Sequence, residues 1–210
     1  MKRNQYTLGK PVSFKGNGLH SGIPVTLTMR PAPAGSGIIF RRIDLTGTPE
    51  VPARSEFVTN TLRATTLERG DAKVFTVEHI LSALFALRID NCILEMDAPE
   101  PPVADGGALT FSQMILEAGI VELEKPIDIL TLETSVAVYE DNKFITALPY
   151  DGLRITFTSI NPHPLLGTQM KDFTIDKETY IREIAPSRTI GFTWELEAMR
   201  QMGLGKGGTV

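Results

Sequence analysis

The sequence predicts an α+β fold of two similar units, each a β-sheet packed against helices. Three observations carry this reading. Apolar residues alternate with period two near the start of the chain, and strand-like runs return after Lys125. Two helical stripes lie between those stretches. Two segments, VTLTMRPAPAGSGIIF at 25–40 and FITALPYDGLRITF at 144–157, share the order strand, proline, short loop, glycine, strand. That repetition fits a duplicated architecture, and it also fits the common grammar of strand connections. At 210 residues, 42% of them hydrophobic, the chain holds enough apolar material for one large core or two smaller ones.

Each element has its own signal. Gln5–Phe14 alternates, and Lys15-Gly16-Asn17-Gly18 is a turn cluster. Val25-Thr26-Leu27-Thr28-Met29-Arg30 suits a half-buried strand, broken by Pro31–Gly37 and resumed at Ile38–Ile43. Residues 44–60 show little periodicity. A helix is expected over Val77–Leu87, with Thr76 as its N-cap and Val77, Ile80, Leu81, Leu84 and Phe85 as its apolar stripe. Asn91–Met96 reads as a strand and Ala108–Ala118 as a helix stopped by Gly119. Glu122–Lys125 before Pro126 reads as a linker, which divides the chain into units 1–125 and 126–210. Strands follow at Ile127–Tyr139, Lys143–Leu148 and Leu153–Ser159, the first two joined by a turn at Asp141-Asn142. Short helices are expected near Asp176–Ile184 and Phe192–Gln201. The second unit lacks comparable helical cover, so it reads as incomplete.

Composition excludes collagen, disorder and coiled coil. No apolar run reaches the roughly 20 residues of a transmembrane helix, and no apolar stretch follows the basic N-terminus as a signal peptide requires. One cysteine, Cys92, rules out a disulfide framework and fits a cytoplasmic location. The net charge of −4 argues against nucleic acid as a partner. The charge is uneven: the first 43 residues carry +7 and the rest −11. A basic region can focus an anionic ligand, or strands can scatter it over both faces. Asp90, Glu95, Asp97, Glu100 and Asp105 form an acidic run that reads as a solvated edge.

The histidines are His20, His79 and His163. A catalytic zinc typically takes three protein ligands and keeps a position open for water. His79 follows Glu78 at a helix start, and a carboxylate beside a metal-bound water can act as general base. As a bare dipeptide the pair can equally be structural. His20 lies between glycines, which serve either a close ligand approach or a tight turn. His163 sits between two prolines, and Ser187-Arg188-Thr189 could offer a hydroxyl and a guanidinium to an anion.

Taken together, these pieces resemble a known family. Gly18-Leu19-His20-Ser21-Gly22, then Thr28-Met29-Arg30-Pro31-Ala32-Pro33-Ala34, resemble the N-terminus of the UDP-3-O-acyl-N-acetylglucosamine deacetylases, zinc enzymes of lipid A synthesis. Thr76-Val77-Glu78-His79 with Leu81-Ser82-Ala83-Leu84 resembles the first metal motif of that family. Ile89-Asp90-Asn91, Asp97-Ala98-Pro99-Glu100, Asp105-Gly106, His163-Pro164 and Ser187-Arg188-Thr189-Ile190-Gly191-Phe192 follow in the family's order.

The resemblance implies two α+β domains with the active site between them, and a β-α-β insert in the second, its helix here at Phe192–Met202. It implies Zn2+ as cofactor, with His79 as a ligand, Glu78 as general base and Thr189 as oxyanion donor. Leu62 and Lys143 would contact the substrate, a UDP-3-O-acyl-N-acetylglucosamine. A monomer is expected. The family's other two zinc ligands come from a later His-Lys-x-x-Asp helix, which has no match in these residues. The chain is therefore expected to be an N-terminal fragment, inactive alone, or else a non-catalytic homologue that binds a UDP-sugar or acyl chain weakly. An aromatic residue usually precedes the match to His163, but Ile160-Asn161-Pro162 stands there. That leaves no ring before His163 to stack on uracil.

Overall fold

The computed structural model describes residues 3–127 and 129–208. Lys2, Asp128, Thr209 and Val210, which figure in the expectations above, lie outside them. The fold is α+β, as expected.

Strands β1 (Asn4–Leu8), β2 (Val12–Asn17), β3 (Pro24–Pro31), β4 (Ile38–Arg42) and β5 (Glu50–Pro52) come first. A 3-10 turn at Ser55–Phe57 leads to β6 (Val58–Asn60), β7 (Thr66–Arg69) and β8 (Ala72–Phe75). Helix α1 (Glu78–Ala86), strand β9 (Cys92–Met96), helix α2 (Leu109–Ala118) and strand β10 (Ile120–Pro126) follow. The central sheet runs β2-β3-β9-β4-β5, with β9 antiparallel to β3 and parallel to β4. The alternation legible in β3 puts Val25, Leu27 and Met29 into the core. β9 sends Cys92, Leu94 and Met96 to the same core, with Leu94 opposite both Met29 and Phe40. Ile80 and Leu84 of α1, and Phe111 and Ile115 of α2, belong to that core. Burying one such side chain is worth about 1.5–3 kcal/mol.

After residue 130 the chain forms two hairpins, β11 (Val136–Glu140) with β12 (Lys143–Ala147), and β13 (Arg154–Ile160) with β14 (Thr168–Thr174). The first turns at Asp141, at φ 51, beside Asn142, a position where Asp is tolerated. Every residue of β11 and β12 is exposed. A short helix, α3 (Lys177–Thr179), then widens into a π-helical turn at Tyr180–Ile184. This segment returns to the first core: Tyr180 and Ala185 are buried there, and Tyr180 Oη lies 2.7 Å from Ser82 Oγ on α1. Finally a 3-10 turn at Thr193–Glu195 leads into α4 (Leu196–Gln201).

The two similar segments share more than order. β3 and β4 flank Pro31–Gly37 without pairing, because β9 lies between them. β12 and β13 also do not pair with each other among the described residues.

Several expectations are corrected. Glu122–Lys125 is no linker but part of β10, held antiparallel to β1, with Thr7 opposite Val121. Thr76 does not cap α1, whose N-cap is Val77, with no side-chain capping bond. Phe85 points outward, 69% exposed. The strand expected at Ile127–Tyr139 begins only at Val136. The basic N-terminal region is largely paired off: Arg3 binds Asp90, Arg30 binds Glu95, Arg41 binds Glu50 and Glu95, and Arg42 binds Asp44. Within the acidic run, Asp90 and Glu95 are paired and Glu100 is buried, whereas Asp97 stays exposed.

Burial pushes the Cys92 thiol up to about 12. The reactive form is the thiolate, which stays scarce until the pH approaches that value. At neutral pH a thiol reagent should leave the folded chain unmodified and label Cys92 only after denaturant is added. Labelling of the folded chain at the rate of a free thiol would contradict the central position of β9.

Candidate functional site

The site begins at the junction of β8 and α1. Thr76 sits at φ 58, a left-handed conformation that costs a non-glycine residue on the order of 1 kcal/mol. The kink is held by its own side chain: Thr76 Oγ1 donates to Glu100 Oε1 at 2.7 Å. It turns the chain sharply, so that α1 starts at once with Glu78 and His79. Both are half-buried. His79 lines a narrow crevice with Leu19, Thr76, Pro101, Pro102, Val103 and Phe111.

Glu100 is 0% exposed and has no cationic partner among the described residues. Its carboxylate accepts from the backbone N–H of His20 (2.9 Å to Oε1) and of Ser21 (2.8 Å to Oε2), besides Thr76. Three donors meet the charge where water cannot, and bonds to an ionised acceptor contribute about 1.5–3 kcal/mol each. Gly18 is required at this turn, since a Cβ there would collide with the Glu100 carboxylate and Ser21 Oγ. The buried His20 accepts at Nδ1 from the Gly205 N–H at 3.3 Å. The Gly207 N–H donates to the Leu19 carbonyl. The glycine-rich turn thus ties the end of the described chain to the start of α1.

Glu78 has a second anchor. Its Oε2 accepts from the Thr65 N–H at 3.1 Å. Thr65 closes the loop 61–65 between β6 and β7, and β7 pairs with β8, with Thr66 opposite Phe75. The three-stranded sheet β6-β7-β8 therefore brings the loop to the helix start. Leu62, 68% exposed, is on this loop, its N–H donating to Asn60 Oδ1. Arg63, at φ 61, reaches Glu195 at 2.7 Å. The guanidinium holds the Glu195 carboxyl below its ordinary range.

Thr189 docks by its backbone, the N–H donating to the Gly106 carbonyl at 2.9 Å, and its side chain is exposed. Lys143 opens β12 opposite Glu140, exposed on its hairpin. Glu78, His79 and Leu62 thus share one neighbourhood, whereas Thr189 and Lys143 lie on other segments.

Sequence reasoning missed an aromatic stack. The His163, Phe192 and Trp194 rings lie nearly parallel, with centroids 4.5 Å apart for Phe192 and Trp194 and 5.6 Å for His163 and Trp194. Rings near His163 are thus present, supplied from residues 192–194 rather than from the residues before it. The only local signal was the spacing Phe192-x-Trp194 at the start of the expected helix, where a 3-10 turn over Thr193–Glu195 leads into α4. Glu100 was also missed; its signal was an acid wedged between prolines beside an apolar strand.

A family model described as LpxC, UDP-3-O-acyl N-acetylglycosamine deacetylase, matches residues 5–210. The chain belongs to this family. It is 42% identical over 210 residues to the bifunctional enzyme LpxC/FabZ of Chlorobaculum tepidum, a match covering 99% of the chain and 45% of that protein. It is 42% identical over 207 residues to the UDP-3-O-acyl-N-acetylglucosamine deacetylase of Myxococcus xanthus, covering 99% and 66%. The corresponding deacetylase of Legionella pneumophila strain Corby is 41% identical over 208 residues, covering 98% and 68%. The chain spans between under half and about two thirds of the length of these relatives.

Among the described residues no group of three or more His, Cys, Asp or Glu is placed to hold a metal ion. His79 and Glu78 offer one imidazole and one carboxylate, short of the three protein ligands usual for catalytic zinc. These residues do not form a complete zinc site by themselves. The 210-residue chain should therefore lose added zinc on dialysis against metal-free buffer. Stoichiometric zinc surviving dialysis, and lost in His79→Ala, would contradict this donor count.

Proposed function

We propose that this chain is part of a zinc-dependent deacetylase that hydrolyses the N-acetyl group of UDP-3-O-acyl-N-acetylglucosamine and releases acetate. This is an early step of lipid A biosynthesis. The observation that carries the proposal is the family match over 5–210, with Glu78 and His79 adjacent at the first turn of α1. Zinc, held by His79 and by ligands beyond these residues, would supply Lewis acidity at the acetamide. Glu78 is the general base: its carboxylate is half-exposed, and the Thr65 N–H fixes one oxygen while leaving lone pairs to take a proton from attacking water. Thr189 donates to the oxyanion that forms as water adds. Leu62 meets the substrate near the reacting carbon, and the Lys143 ammonium answers the diphosphate. Two units, residues 1–125 and 126–210, frame the site. We further propose a monomeric, cytoplasmic protein; no described helix is long and apolar enough to cross a membrane.

The rival reading is a non-catalytic chain that binds a UDP-sugar or an acyl chain weakly. That no group of three metal ligands is found among the described residues favours it for the chain taken alone. One experiment separates the two. The chain is extended with the C-terminal third of the Myxococcus xanthus relative, and acetate release is followed with and without zinc. Zinc-dependent release is expected. Glu78→Ala should keep metal and lose about 10²–10⁴-fold in turnover, the usual cost of removing a general base. His79→Ala should lose metal and turnover together. Near-normal turnover in a folded, zinc-loaded Glu78→Ala protein would remove Glu78 from the mechanism, and no release from the extended protein would favour the rival.

A further inference from the structure

We propose that the Arg63–Glu195 ion pair is a clasp that positions Glu78, by fastening the loop 61–65 to the segment that carries the aromatic stack. The inference rests on the reading of Glu78 as the working carboxylate. Arg63 and Glu195 are positioning residues, acting through the loop and not on substrate.

The geometry runs through three bonds. The loop is held at its start, where the Leu62 N–H donates to Asn60 Oδ1 at 2.7 Å. It is held at its end, where the Thr65 N–H donates to Glu78 Oε2 at 3.1 Å. Between them the backbone is bent at Arg63, whose left-handed φ of 61 costs free energy in a non-glycine residue. The bend carries the guanidinium out to Glu195, 132 residues away in sequence, at 2.7 Å. Glu195 follows Trp194, which stacks on Phe192 and His163. One ion pair therefore joins the contact that orients Glu78 to the stacked wall.

The pair is partly exposed and such pairs add little stability by themselves. The other carboxylate oxygen, Glu195 Oε2, is buried with no hydrogen-bond partner among the described residues. A buried carboxylate oxygen without a protein partner is uncommon in native structures. The backbone strain at Arg63 points the same way.

The chain carries its own reporter, because Trp194 is its only tryptophan and is 57% exposed. The test uses the 210-residue chain with Arg63→Glu, Glu195→Arg and the double swap. Acrylamide quenching of Trp194 and hydrogen exchange at the Thr65 amide are measured. Circular dichroism and the unreactive Cys92 thiol confirm that each variant is folded.

Each single reversal should raise quenching and speed Thr65 exchange by about two- to fivefold, the factor set by the coupling of an exposed pair. The swap should restore both, and Arg63→Lys should restore them in part. Glu78→Ala, which removes the acceptor of the Thr65 N–H, should speed Thr65 exchange and leave Trp194 quenching unchanged, because the clasp lies upstream of Glu78. Unchanged Thr65 exchange in folded single reversals would overturn the proposal, as would a swap no better than either single variant. Near-normal acetate release by Glu78→Ala in the extended, zinc-loaded protein, with these signatures intact, would instead count against the reading of Glu78.

Discussion

A carboxylate buried without a cation is the constraint on which the site depends. Glu100 takes its donors from two places far apart in sequence, the glycine-bounded turn at His20-Ser21 and the hydroxyl of Thr76. Removing a charge from water costs several kcal/mol, and fixed hydrogen bonds must offset it. Here that offset fixes backbone. It holds Thr76 in a left-handed conformation, and that conformation brings the chain from β8 into α1 with no intervening residues beyond Val77. The positions of Glu78 and His79 follow from it. So does the His20–Gly205 contact that draws the glycine-rich end of the chain to the same place.

The charge distribution follows the same logic of matched neighbours. The N-terminal arginines and the acidic run 90–105 are complementary because the sheet order places them side by side. β9 lies between β3 and β4, so Glu95 meets Arg30 from one neighbour and Arg41 from the other. Arg3 makes two bonds to Asp90, at 2.7 and 2.9 Å. This spends the basic region on structure and leaves less of it to steer an anionic substrate. Under the proposed function, diphosphate recognition falls to cations outside this sheet, Lys143 among them.

The central sheet was largely legible in the sequence, because half-buried strands print their alternation directly, as β3 and β9 do. Helices α1 and α2 were legible for the same reason, and Gly119 ends α2 at φ 74 as a stop residue should. The short hairpin β7–β8 and strands β5, β6 and β14 were not, since each is either too short or too exposed to carry a pattern. β10 was mistaken for a linker because its partner is β1, more than a hundred residues away, and its polar residues face solvent. Thr76 illustrates a competition that sequence cannot resolve. Its hydroxyl oxygen could accept at an N-cap, but the backbone holds Thr76 at φ 58, one residue before the cap position, where the hydroxyl instead donates to the buried Glu100 carboxylate. Within the candidate site, Glu78 and His79 were visible as a dipeptide that gained meaning only with the ordered motifs around it. The stack His163, Phe192 and Trp194 and the pair Arg63 and Glu195 depend on long-range contacts with no local signature.

The central claim is that the Glu100 carboxylate sets the backbone at the head of α1. Glutamine keeps the shape but presents an N–H2 where an acceptor is needed, so one set of donors is left unmatched. The most direct measurement is hydrogen exchange at the His20 and Ser21 amides in Glu100→Gln, together with its equilibrium unfolding. The account predicts that both amides lose protection and that stability falls by roughly 3 kcal/mol. Unchanged protection at His20 and Ser21, in a variant as stable as the parent, would contradict it.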